Sequence, residues 1–180
     1  MKELSLNILD VAKNSVKAEA SLIEIELTET DKTLTIRITD DGCGMEKEFL
    51  ETVLDPFSTT RTTRKVGMGL PLLKLAAEQT GGDLRIESVP KSACAKSGTT
   101  VEAFFHKDHM DYTPLGDIIS TVTILIQGSP DIDYLFLHHL PDREVSLDTR
   151  EIREVLGGVP LSEPEVLEWI EESLREQYAA

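Results

Sequence analysis

Two short runs of alternating apolar residues, Ile23-Ile25-Leu27 and Leu34-Ile36-Ile38, flank Thr28–Lys32, and the second leads straight into Asp40-Asp41-Gly42-Cys43-Gly44. Apolar side chains at every second position share one face of a strand, so the pattern predicts a β-hairpin with one buried side. Glycines at alternate positions after a strand mean a sharp turn, or a backbone that another group approaches closely. This sets the frame: a half-covered antiparallel sheet that needs helices on its apolar face, with a tight acidic turn at one end. Residues 4–18 supply the first helix, with Leu9, Ala12 and Val16 at i, i+3, i+7 and Leu4 and Ile8 extending the stripe. Asp10, Asn14 and Lys17 fall at i, i+4, i+7 and share another face of it, which either lies in solvent or lines a pocket.

Phe49, Thr52 and Val53 predict a short helix ended by Asp55-Pro56. Residues 58–65 hold no apolar side chain and three cations, the composition of a surface loop. Gly67-Met68-Gly69-Leu70 then precedes a helix through Leu72, Leu73, Leu75, Ala76 and Gln79 that stops at Gly81-Gly82. Pro71 is tolerated only in that helix's first turn, so the helix starts just after the glycines. Leu84-Ile86-Ser88 and Val101-Ala103-Phe105 read as two further strands around the Val89–Gly98 loop.

Beyond residue 107 the pattern changes. Leu115, Ile118, Ile119, Val122 and Ile126 suit a helix, although the β-branched run Thr121–Ile124 also suits a strand. Ile132–Leu140 and Val145–Leu147 read as strands, and capping boxes at Asp148-x-x-Glu151 and Ser162-x-x-Glu165 open helices near 149–156 and 163–177. Adjacent His138 and His139 on a strand point to opposite faces, which argues against joint metal chelation.

The charge is uneven. Over 180 residues, 18 Lys+Arg face 33 Asp+Glu for a net −15. Residues 1–106 hold 13 and 17, a net −4, whereas residues 107–180 hold 5 and 16, a net −11. Such a balance disfavours nucleic acid and anionic membrane as partners, because displacing their counterions takes cations. It does not disfavour a small anion held by a local cluster such as Arg61, Arg64 and Lys65. Two cysteines, Cys43 and Cys94, are neither a disulfide framework nor spaced as a metal pair. With no apolar stretch of about 20 residues and no leader-like start, the expectation is a cytoplasmic protein.

Singly these motifs are weak, and the P-loop and EF-hand patterns are absent. Their order is specific. A helix with Asn14, a strand ending in Asp40-x-Gly42-x-Gly44, a Phe57 loop and Gly67-x-Gly69-Leu70 before a helix resemble the GHKL ATPase superfamily over residues 4–106. That superfamily includes histidine kinases, anti-sigma serine kinases, gyrase B subunits, MutL and heat-shock chaperones. Asn14-Ser15 through Ile23-Glu24-Ile25 looks like MutL; Asp55-Pro56-Phe57-Ser58-Thr59-Thr60-Arg61 and Gly67-Met68-Gly69-Leu70-Pro71-Leu72 look like histidine kinases. The resemblance implies an α+β fold: a Bergerat-type two-layer sandwich with a mixed, mostly antiparallel sheet and helices on one face. It divides the chain into an ATP-binding domain, 1–106, and an acidic C-terminal α/β extension or interaction domain, 107–180.

By the same resemblance the cofactors are ATP and Mg²⁺. Asp40 accepts a hydrogen bond from the adenine amino group, and Gly42 and Gly44 let the backbone pass the base. Asn14 gives its side-chain oxygen to Mg²⁺ beside the phosphates, and Lys17 is a phosphate-contacting cation. Phe57 and Arg61 belong to the lid. Gly67, Gly69 and Leu70 offer backbone N–H groups to phosphate at a helix start, and Thr99 sits at the adenine pocket, partly through water. Two departures stand out. Pro71 replaces a glycine and removes a donor, and Asp10 stands where hydrolytic members carry a glutamate general base. Asp10 is one methylene shorter, so catalysis and a plain pocket-lining role stay equally open.

The expected function is phosphorylation of a separate partner protein in trans, with the partner met by residues 107–180. The chain has no room before its ATPase motifs for a phosphoacceptor hairpin like that of histidine kinases. The alternative is an ATP-gated protein-binding switch with slow hydrolysis or none. A homodimer is left open.

Overall fold

The computed structural model describes residues 3–54, 68–93 and 96–180. In chain order the elements are α1 (Leu4–Lys17), β1 (Leu22–Glu29), β2 (Thr33–Asp40), α2 (Lys47–Thr52), α3 (Gly69–Gln79), β3 (Asp83–Val89) and β4 (Gly98–His106), followed by α4 (Ile118–Gly128), β5 (Asp133–His139), β6 (Glu144–Asp148), α5 (Thr149–Leu156) and α6 (Pro164–Ala179). The strands form one six-stranded sheet in the order β3-β4-β2-β1-β5-β6. Every pairing is antiparallel except β1 with β5. The mixed, mostly antiparallel α+β sheet is the one expected from the sequence.

Strand alternation decides which face is covered. Ile23, Ile25 and Leu27 of β1, Leu34, Ile36 and Ile38 of β2, and Val101, Ala103 and Phe105 of β4 are all buried. Register aligns them into rows, with Ile25 opposite Ile38 on one side and Phe136 on the other. Helix α1 adds Leu4, Ile8, Val11 and Ala12 to this core, and α3 adds Leu70, Leu73, Ala76 and Ala77. Leu72 and Leu75, which the sequence pattern counts in the α3 stripe, instead lie on its exposed side.

Of the segment from Leu115 that is ambiguous in sequence, Ile118–Gly128 resolves as the helix α4, because packing on α1 outweighs β-branched propensity. Its Thr121 hydroxyl donates to the Ser5 carbonyl at 3.0 Å. The backbone carbonyls of Pro114 and Leu115 accept from the N–H groups of Leu4 and Ser5, satisfying donors that a helix start leaves open. Strand β5 pairs in parallel with β1, so residues 133–148 extend the same sheet. A buried polar cluster ties this junction. His138 Nε2 bonds Glu29 at 2.8 Å, His138 Nδ1 bonds the Tyr178 hydroxyl at 2.6 Å, and Lys107 Nζ reaches Glu29 at 2.6 Å. His139 lies on the opposite face, between Glu26 and Glu144, as strand alternation requires.

Candidate functional site

The end of β2 carries the site's central carboxylate. Asp40 Oδ1 accepts the Gly42 N–H at 2.9 Å, and Oδ2 accepts the Ser15 hydroxyl at 2.5 Å. Each carboxylate oxygen has two lone pairs, so capacity remains for a further donor. Antiparallel register sets Thr99 of β4 directly opposite Asp40, and Ser88 of β3 opposite Thr99. The Thr99 and Ser88 hydroxyls bond each other at 2.8 Å, and Ser88 Oγ also accepts the Met45 N–H at 2.8 Å. A row of polar oxygens thus crosses three strands at one end of the sheet.

The loop after Asp40 packs tightly. A Cβ on Gly42 would lie 2.7 Å from the Ala18 carbonyl oxygen, beside the end of α1. Gly44 has φ +69, and a Cβ there would stand 2.0 Å from the Val89 carbonyl oxygen. Asp41 faces away from the site and anchors the start of β1, accepting the Ser21 and Leu22 N–H groups at 2.7 and 3.0 Å. Burial pushes its carboxyl up, but the Ser21 hydroxyl and these N–H groups together outweigh that and hold it below the ordinary aspartate value.

A cavity of about 320 Å³ opens here. Asn14 and Lys17 line it from α1, Asp40 and Gly44 from the turn, and Leu70 and Thr99 from α3 and β4. Ile38, Val101, Met45 and Phe49 add apolar wall, the mixture of flat apolar surface and few polar groups that suits a heteroaromatic ring. Asn14 Nδ2 is buried without a hydrogen-bond partner. A buried amide donor left unmet costs free energy, so the Asn14 side chain has hydrogen-bonding capacity in reserve at the cavity wall.

Helix α3 begins at Gly69 itself, with Pro71 in its first turn. There the missing N–H of Pro71 would have had no intrahelical acceptor in any case. Gly69 presses on α1, where a Cβ would come within 2.8 Å of the Asp10 Cβ. Asp10 is exposed beside that glycine and is not part of the cavity lining. Phe57, Arg61 and Gly67, and with them Arg64 and Lys65, lie outside the described residues.

Three participants escape sequence reasoning. Ser15 and Ser88 are small hydroxyls whose value depends on the strand they meet, although Ser15 directly follows Asn14. Gly98 has φ +156, and a Cβ on it would fall 2.2 Å from the Asp40 carbonyl oxygen. Its position before Thr99-Thr100 was the available signal.

Comparison with known proteins agrees with this geometry. The family described as histidine kinase-, DNA gyrase B-, and HSP90-like ATPase matches residues 2–109. The signal transduction histidine-protein kinase AtoS of Escherichia coli is 31% identical over 90 residues, which cover 50% of this chain and 15% of that protein. The DNA mismatch repair protein MutL of Syntrophotalea carbinolica is 27% identical over 166 residues, 73% of this chain and 26% of its own length. The chain therefore spans about a quarter or less of these curated relatives. Among solved structures, the Aquifex aeolicus MutL ATPase domain complexed with ADP superposes with a TM-score of 0.54 at 14% identity, over 87% of this chain and 70% of that one, a shared fold.

Proposed function

The chain belongs to the histidine kinase-, DNA gyrase B- and HSP90-like ATPase family, and from that premise we propose that it binds Mg·ATP in the cavity beside Asp40 and transfers the γ-phosphoryl group to a separate partner protein. The observation that carries the nucleotide reading is the Asp40 carboxylate, held by Ser15 and Gly42 with lone pairs to spare and lining the same cavity as Asn14. In this reading Asp40 takes the adenine amino group and would face the guanine carbonyl oxygen unpaired, which sets base selectivity. Thr99 supports the base edge, and Gly42 and Gly44 keep the backbone close to it.

Asn14 would hold Mg²⁺ through its side-chain oxygen, since that ion prefers oxygen ligands. Lys17 supplies a cation on the same helix turn. Gly69 and Leu70 would offer N–H groups at the α3 start, where the helix dipole also favours phosphate, and the family resemblance adds Gly67 to them. By the family resemblance Phe57 and Arg61 would belong to the lid. Bound Mg²⁺ supplies charge neutralisation at the phosphates; positioning falls to the protein.

The place of Asp10 favours transfer over hydrolysis. It is exposed beside Gly69 and one methylene shorter than the glutamate that hydrolytic members carry there, so it reaches a water less well. The same observation favours, as second reading, an ATP-gated binding switch with slow hydrolysis or none. Incubation with γ-labelled ATP and Mg²⁺, with and without proteins of the source cell, separates them. Label on a second protein supports the kinase. Free phosphate supports an ATPase, and label retained on ATP with nucleotide-dependent pull-down supports the switch. Failure to bind adenine nucleotide overturns both.

The partner is met by residues 107–180, where the acidity lies. Among the described residues no helix is long and apolar enough to cross a membrane, which is compatible with action in the cytoplasm.

A further inference from the structure

A second, larger cavity of about 790 Å³ lies far along the sheet from Asp40, walled by β5, β6, α5 and α6. Its apolar lining includes Leu135, Leu137, Ile152, Val155, Leu156 and Trp169. Two of these are open to solvent to an unusual degree for their size: Val155 is 87% exposed and Trp169 55%. An exposed tryptophan within a contiguous apolar groove marks a surface built for contact.

The rim fixes the sign of the occupant. Glu144, Asp148, Glu151 and Glu165 border the groove, and no Lys or Arg is among its lining residues. Glu144 pairs with His139 at 2.8 Å and Asp148 with Arg150 at 2.9 Å. No cationic partner is found among the described residues for Glu151 or Glu165. Both sit in the first turn of their helices, where the dipole stabilises them as anions. A second copy of this chain would bring another acidic segment, net −11 over residues 107–180, against the same rim.

The sheet edge fixes the occupant's conformation. Strand β6 is terminal in the sheet, yet the Gln177 carboxamide engages both backbone groups of Ser146, accepting its N–H at 2.8 Å and donating to its carbonyl at 3.0 Å. That bridge occupies the central ladder position of the five-residue edge strand, which breaks the run of free backbone groups an added strand would need. Docking must then proceed through side chains, as when an amphipathic helix lays its apolar face in a groove.

We propose that the groove between β6, α5 and α6 receives a cationic amphipathic helix of a partner protein, with bulky apolar side chains against Trp169 and Leu137 and Lys or Arg against Glu151 and Glu165. The assignment rests on the reading that residues 107–180 meet the partner, and not on the chemistry at Asp40.

Trp169 is the only tryptophan in the chain, so its emission reports the groove directly. The full chain is titrated with a tryptophan-free Leu/Lys amphipathic helical peptide and with its Leu/Glu counterpart. The Leu/Lys peptide is expected to shift Trp169 emission to the blue with saturation, and the Leu/Glu peptide to leave it unchanged. Glu151→Lys with Glu165→Lys should weaken the Leu/Lys peptide by roughly tenfold or more. The control pair Asp31→Lys with Asp108→Lys has the same change in net charge outside the groove and should weaken it far less.

Equal binding of the two peptides, or equal loss in the two double variants, overturns the proposal. So does a dimer in sedimentation that Val155→Glu dissociates, since the occupant would then be a second copy. ATP affinity measured on the same variants should not move. Loss of ATP binding in the parent chain would instead refute the nucleotide reading and leave the peptide result standing.

Discussion

Replacing Asp40 with asparagine tests the nucleotide pocket at the atom on which it turns. The carboxylate accepts from Ser15 Oγ and the Gly42 N–H and keeps lone pairs for a third donor. An asparagine offers one acceptor oxygen and one amide donor. Turned toward Gly42, its amide meets a backbone N–H that cannot accept; turned toward Ser15, it is accepted only if that hydroxyl rotates, and in either case the acceptor facing the base loses its negative charge. Loss of a hydrogen bond to a charged group costs about 1.5–3 kcal/mol, which corresponds to about a 10- to 150-fold rise in the ATP dissociation constant. GTP presents a carbonyl oxygen where ATP presents an amino group, so the amide of Asp40→Asn accommodates GTP at least as well as the parent does. The ATP-over-GTP preference should therefore collapse while overall binding weakens. Competition of ATP and GTP against a fluescent adenine-nucleotide analogue measures both quantities, and a thermal melt followed by circular dichroism shows that the variant is folded. Ser15→Ala is the milder companion: it removes one donor without creating a donor-donor clash, and about 1 kcal/mol is expected. A folded Asp40→Asn protein with parental ATP affinity would refute the pocket assignment.

Three other outcomes follow from the same geometry. Gly44→Ala forces a Cβ into a φ of +69 and toward the Val89 carbonyl oxygen; a cost of about 1–2 kcal/mol for the backbone alone should lower both the melting temperature and ATP affinity. The Glu29 carboxyl is held down first by its hydrogen bond to His138, against burial and with help from Lys107, at about 2 rather than 4.5. A depressed carboxyl stabilises the fold above its unfolded value and loses that contribution as pH falls through the folded one. Stability should thus drop by roughly 3 kcal/mol between about pH 5 and pH 2 in urea titrations, and Glu29→Gln should flatten that slope. Tyr178→Phe leaves His138 Nδ1 without its 2.6 Å partner; about 1–3 kcal/mol is at stake, visible as faster hydrogen exchange in α6 with ATP affinity unchanged.

Much of the fold was legible because its signals are local. The hairpin rests on period-two alternation at Ile23–Leu27 and Leu34–Ile38, α1 on the Leu4–Val16 stripe, and the tight turn on Gly42 and Gly44 after Asp40. The cap expected at Asp148 forms, its side chain accepting the Arg150 N–H, and so located α5, since a cap acts on the backbone next to it. The box expected at Ser162 does not form: α6 starts from Glu163 with no side-chain cap bond, and Pro164 in its first turn marks the start instead. The 115–128 segment was ambiguous for the opposite reason: its propensities conflict, and only burial against α1 decides between them.

The pocket divides along the same line. Asn14, Asp40 and the glycines stand out in sequence because each sits in a motif a few residues long. That Thr99 lies opposite Asp40, and Ser88 opposite Thr99, depends on strand register, which no local pattern states. Ser15 becomes the carboxylate's donor only because the last turn of α1 is packed over the end of β2. The acidity of residues 107–180 was countable from sequence, but not its arrangement. Only the pairing of β6 with β5, and the packing of α5 and α6 beside them, turns four of those carboxylates into the rim of one groove. Composition and periodicity are properties of neighbours along the chain. Register and inter-element packing are settled by contacts between residues distant in sequence, whose free energies appear only once the whole sheet has formed.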